Sequence, residues 1–160
     1  MSVNVSLLIL GVAVIAMILI VKIRSNGGHV DSIWPYYAKR PLSQPEQVLY
    51  FRLVQALPER IILAQVQLSR MLGVKKGNKY QAWLNRINRM SVDFVICNKD
   101  YSVVAVIELD DKSHQRDDRR AADAKKDRAL TSAGITIVRW QAKSIPNVTM
   151  IQSIFNAHPI

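Results

Sequence analysis

The stretch Val103-Val104-Ala105-Val106-Ile107-Glu108-Leu109-Asp110-Asp111 decides the fold. Its first five residues are apolar without alternation, the pattern of a central strand covered by helices on both faces. The run then ends abruptly in carboxylates. Glu108 and Asp110 lie two apart, so both point to one face of the strand's end. Just upstream, Val92-Asp93-Phe94-Val95-Ile96 reads as a second strand, joined to the first through the turn signal Asn98-Lys99-Asp100. A hairpin turning about Asp100-Tyr101 sets Asp93 opposite Glu108. Two carboxylates about 5 Å apart repel by about 3 kcal/mol at an effective dielectric of about 20. Such a pair at neutral pH requires that one acid be protonated, that a Lys or Arg lie between them, or that a divalent cation bind. The chain has one cysteine, Cys97, and three histidines, so oxygen ligands and Mg2+ (or Mn2+) are favoured over zinc.

Working outward, Ser43-Gln44-Pro45-Glu46 is a capping box with proline in the first turn. The stripe Val48, Leu49, Phe51, Leu53, Val54 and Leu57 continues that helix until Pro58 stops it. Ile61–Leu68 reads as a strand, and Tyr80–Ile87 as a helix. Asp117–Ala133 is a helix with acids in its first turn and Gly134 as its C-cap. Ile135–Trp140 is a further strand, and 146–157 a last helix. The order is that of an α/β fold, a mixed β-sheet flanked by helices.

The 160 residues carry 22 Lys+Arg against 12 Asp+Glu, a formal net charge of +10. No acid and only two basic residues, Lys22 and Arg24, precede residue 31, leaving +8 on residues 31–160. The apolar content, 49%, excludes a disordered chain, and the single cysteine excludes a disulfide or Cys-rich zinc scaffold. Leu7–Val21 is an unbroken apolar or glycine run. The segment 3–23 is therefore expected as a transmembrane anchor, because it would span about 30 Å as a helix. Basic residues flank only its C-terminal end, which places the rest of the chain on the cytoplasmic side of the inner (cell) membrane as a single-pass protein. Residues 24–42 read as a linker and 43–160 as the α/β domain.

Between Ser69 and Met90 lie Arg70, Lys75, Lys76, Lys79, Arg86 and Arg89 without an acid, interleaved with Tyr80 and Trp83. This is the composition of a phosphate-contacting surface, with anionic lipid as the competing partner.

The Asp-bearing strand, the run Val106-Ile107-Glu108-Leu109-Asp110-Asp111-Lys112-Ser113-His114, and the segment from Asp127 through Gly134-Ile135 to Val138-Arg139-Trp140 resemble the PD-(D/E)xK nuclease superfamily. Within it, the pattern is most similar to the very-short-patch-repair-endonuclease-like branch. The resemblance covers roughly residues 41–145. It implies a restriction-endonuclease-like fold and metal-dependent hydrolysis of nucleic acid, DNA in the first instance. Asp93 and Glu108 would hold the metal, Glu46 would be the third acid, and Asp110 would assist. Asp110 stands where the superfamily has its lysine. Lys112, or Lys126 from the next helix, would supply the displaced positive charge, with His114 joining the site as in that branch. Two alternatives remain open at the level of sequence. One is a catalytically inert nucleic-acid- or partner-binding module of the same fold, and the other a membrane-surface adaptor.

Overall fold

A computed structural model describes residues 2–25, 34–110 and 117–157, with side chains described for 7–22, 34–110 and 121–156. The chain divides into two compact units, 1–39 and 40–160. In the first, α1 runs Ser2–Ser25. Every large apolar side chain from Leu7 to Val21 is exposed. Among the described residues, no helix is long and apolar enough to cross a membrane.

The second unit runs α2 (Gln44–Ala56), β1 (Ile61–Gln67), α3 (Leu68–Met71), α4 (Tyr80–Leu84), β2 (Ser91–Cys97) and β3 (Val103–Asp110), then α5 (Asp117–Ser132), β4 (Thr136–Gln141), a 3₁₀ turn and α6 (Val148–Ala157). One sheet in the order β1-β2-β3-β4 holds them together. The pairs β1·β2 and β2·β3 are antiparallel, and β3·β4 is parallel. The parallel pair follows from the α5 connection, since a short hairpin cannot join parallel strands.

The tight turn between β2 and β3 forms as the sequence predicts. Asp100 accepts hydrogen bonds from the Ser102 backbone N–H at 2.9 Å and the Ser102 hydroxyl at 2.6 Å. Tyr101 adopts φ +65°, and its N–H donates to the Asn98 carbonyl at 3.0 Å. The turn closes with the Asn98 N–H donating to the Ser102 carbonyl and Cys97 opposite Val103. A one-residue register shift between Ile96 and Cys97 then sets the pairs Phe94↔Ile107, Val95↔Val106 and Ile96↔Ala105. Continued one step, the same register places Asp93 opposite Glu108.

β3 is an inner strand, as its uniform hydrophobicity requires, and Val104 to Ile107 are buried. Its side chains feed two cores. On one face, Leu49 and Leu53 of α2 and Ile151 and Phe155 of α6 pack with Phe94, Ile96, Ala105 and Ile107. On the other, Leu130 of α5 packs with Leu68, Ile87, Val92, Val95, Cys97 and Val106.

Two local expectations need correction. The first strand ends at Gln67, because Leu68 is fully buried at the start of α3 and its N–H donates to the Met90 carbonyl. The helix expected over 80–87 stops at Leu84. Beyond it, Arg86 and Ile87 donate to the carbonyls three residues back, tightening the chain into 3₁₀-type turns.

Phe94 is the largest fully buried side chain. Its truncation, Phe94→Ala, is expected to lower unfolding stability by about 3–5 kcal/mol. Urea unfolding of the full chain in mild detergent, followed by tryptophan fluorescence, checks this. A loss within experimental error of zero would contradict the two-sided core.

Candidate acidic site

The ends of β2 and β3 gather the site. Glu108 leaves the sheet on the α5 side and is 6% exposed, the one buried charged residue among those described. Its Oε1 lies 2.6 Å from the Lys126 Nζ of α5. The ammonium is the counter-charge of this buried oxygen. Asp93 is pinned by its Oδ2, which accepts the Leu109 backbone N–H at 2.7 Å. The strand that carries Glu108 therefore also orients the acid opposite it.

Burial pushes the Asp93 carboxyl above the usual range, and the neighbouring Glu46 charge adds to the rise, while the Leu109 N–H and Lys126 oppose it. Burial likewise raises Glu108. Lys126 pulls it back, and the Asp93 charge adds to the rise. Both acids are therefore held in an environment that resists a second negative charge. Among the described residues, Lys126 is the cation that acts on both.

Glu46 fulfils the capping-box expectation and also reaches the site. Its Oε2 accepts the Ser43 N–H at 2.5 Å, and its Oε1 accepts from Gln65 Nε2 at 2.8 Å. Gln65 is the residue that sequence reasoning missed. It sits in β1 at φ +53°, between the pairs Ala64↔Phe94 and Val66↔Val92. A non-glycine residue in the left-handed region is held at a cost of about 1–3 kcal/mol. The local turn brings its amide to both Glu46 and Asp93. No local sequence signal marks this, because a glutamine in a half-exposed strand is unremarkable by composition.

Asp110 is drawn elsewhere. It lies 4.0 Å from Arg139 Nε on β4, and Arg139 also bonds Asp127 of α5. This small network sits beside Glu108, whose register partner in the parallel pair is Arg139. Lys112 and His114 lie outside the described residues. Among the described residues, no group of three His, Cys, Asp or Glu side chains is arranged to hold a metal ion. Arg70, Lys75, Lys76, Lys79, Arg86 and Arg89 are all exposed, with the Arg86 guanidinium 4.1 Å above the centroid of the Trp83 ring.

Fold and site thus define a mixed α/β domain with a compensated carboxylate pair at the end of its central strands. The chain belongs to the DUF2726 family, described as a protein of unknown function, whose model matches residues 38–157. No curated protein and no solved structure matches the chain.

A carboxyl raised by burial keeps its proton to higher pH in the folded chain than in the unfolded one. Its contribution to stability is present below the ordinary carboxylate range, about pH 4, and is lost as pH rises through the folded value. Asp93→Asn keeps an oxygen for the Leu109 N–H but removes the charge. The variant is expected to be more stable than the parent at pH 7 and about equal to it near pH 4. Urea midpoints measured across that window check the sign, and a variant less stable at pH 7 would contradict it.

Proposed function

We propose that the 43–160 domain is a restriction-endonuclease-like, divalent-metal-dependent nuclease of PD-(D/E)xK type, hydrolysing nucleic-acid phosphodiester bonds, DNA first among them. The observation that carries this reading is the Asp93–Glu108 pair across β2 and β3 with Lys126 of α5 at 2.6 Å from Glu108. Lys126 offers the positive charge that Asp110 displaced from the strand, and it stands beside the metal-holding acid. Glu46 fits the third-acid role, since its charge acts on Asp93.

The donor set is chemically suited to Mg2+ or Mn2+. Two carboxylates suffice for a magnesium ion that keeps waters and takes substrate phosphate oxygens for its remaining positions. Asp93 uses Oδ2 on the Leu109 N–H, and an ion at Glu108 Oε1 would displace the Lys126 ammonium that lies 2.6 Å away. When bound there, the ion would lower the pKa of a ligated water and offset charge on the phosphate. Lys126 would hold the attacking water or the phosphate oxygen, and Gln65 would keep Asp93 and Glu46 in register. Lys112 and His114 stay as candidates for the proton-transferring group.

The basic residues Arg70, Lys75, Lys76, Lys79, Arg86 and Arg89 would hold the polyanion through its phosphates. We also carry forward a cytoplasm-facing placement at a membrane. The membrane part is supported by α1, whose large apolar side chains from Leu7 to Val21 are all exposed, a surface that calls for an apolar surrounding. The orientation rests on the basic residues Lys22 and Arg24 after it.

A second reading, an inert binding module of the same fold, draws support from one observation. Lys126 already neutralises Glu108, and Glu46 is engaged by Ser43 and Gln65. Cleavage of labelled single- and double-stranded DNA and RNA by the full chain with Mg2+ or Mn2+ separates the two. The nuclease reading expects cleavage that falls by at least about a hundredfold in Asp93→Ala, Glu108→Ala and Lys126→Ala. Cleavage unchanged by these substitutions would overturn the site. No cleavage of any substrate would leave the binding module.

A further inference from the structure

Next to the acidic centre lies a groove of about 910 Å³, between the segment 72–87 and the outer face of α5. Among the described residues, its cations are Lys75 and Arg86 from one wall and Lys125 and Arg128 from the other, and no described acidic side chain lines it. Trp83 stands in the same wall, 46% exposed, with Arg86 stacked on its ring. Asn78 donates to the Lys75 carbonyl at 3.0 Å, which fixes the loop carrying Lys75. The α5 wall is built of small residues, Ala121, Ala124 and Ala129 among them, at spacings that put them on one helical face with Arg128.

We infer that this groove is a binding track for unpaired nucleic acid, with one base stacked on Trp83 and flanking phosphates on Lys75, Arg86, Lys125 and Arg128. The inference rests on the nucleic-acid part of the proposed function and names the form of the strand. Convergent cations alone suit any polyanion, single or double stranded. The half-exposed indole inside a cationic hollow discriminates, because the π-faces of bases in a duplex are covered by their neighbours and only an unpaired base can stack on it. Position supports the assignment: α5 sends Lys125 and Arg128 into the groove and, between them, Lys126 to Glu108. A strand in the groove lies one helix face from the acidic pair. Arg70, Lys76, Lys79 and Arg89 do not line the groove. They remain available for peripheral phosphate contacts.

The test uses the full chain in mild detergent with EDTA, so that no cleavage intervenes. Anisotropy titration compares labelled oligothymidine of about 12 nucleotides, inside the ~4–16 that such grooves cover, with a duplex of the same length. Single strand is expected to bind at least about tenfold more tightly. Trp83→Ala should cost about tenfold on the single strand and less than about twofold on the duplex, and Trp83→Phe should restore most of the loss. Lys125→Ala with Arg128→Ala should weaken both probes and flatten the salt dependence. Equal affinity for the two probes, no binding to either, or a Trp83→Ala single-strand affinity equal to the parent's would overturn the inference. Trp83-dependent strand preference supports it even if the chain cleaves nothing. Asp93-dependent cleavage without strand preference would overturn the groove while sparing the proposed chemistry.

Discussion

The interaction on which the site depends is the burial of Glu108 against Lys126. An ionised carboxylate at the end of a central strand is costly to desolvate unless a counter-charge accompanies it. α5 brings that counter-charge, because it must cross back over the sheet to start β4 parallel to β3. The same helix packs Leu130 into the core below. Lys126 is thereby seated by a packed element, and Glu108 by a strand buried on both sides. The pair is held by the architecture.

From this follows the state of Asp93. It faces Glu108 across the hairpin, accepts the Leu109 N–H, and is approached by Glu46 through Gln65. Three acids and one nearby lysine make a centre that is short of positive charge. Arg139 lies close, yet it is shared with Asp127 and Asp110. Under the proposed reading, an incoming cation would gain from both Asp93 and Glu108, and at Oε1 it would compete with Lys126.

Much of this was legible in the residues. The unbroken apolar run into Glu108 implied an inner strand, and a hairpin about Asp100-Tyr101 implied Asp93 opposite Glu108. The turn, however, closes one residue off that centre, and the opposition is reached through the register shift between Ile96 and Cys97, which no residue pattern marks. Ser43 and Glu46 marked the start of α2 correctly. The rest depended on contacts between distant segments. Which cation reaches Glu108 is set by the docking angle of α5, and spacing within 117–133 does not encode it. The diversion of Asp110 to Arg139 required the strand order, since only the β3·β4 pairing brings them together. Gln65 depends on a single left-handed residue, which glutamine's local preferences disfavour. The helix over 80–87 was overestimated because its apolar spacing continues to Ile87, while the backbone tightens after Leu84 so that Ile87 can enter the core under α5.

The account stands on the claim that Asp93 and Glu108 form one cation-competent centre. Titration of the full chain with Mn2+, following free ion by electron paramagnetic resonance, tests this without reference to any substrate. One ion should bind per chain, and binding should be lost when Asp93→Asn and Glu108→Gln are combined. It should also tighten in Lys126→Ala, where the competing ammonium is gone. A chain that binds no Mn2+, or binds it equally well without the two carboxylates, would contradict the claim.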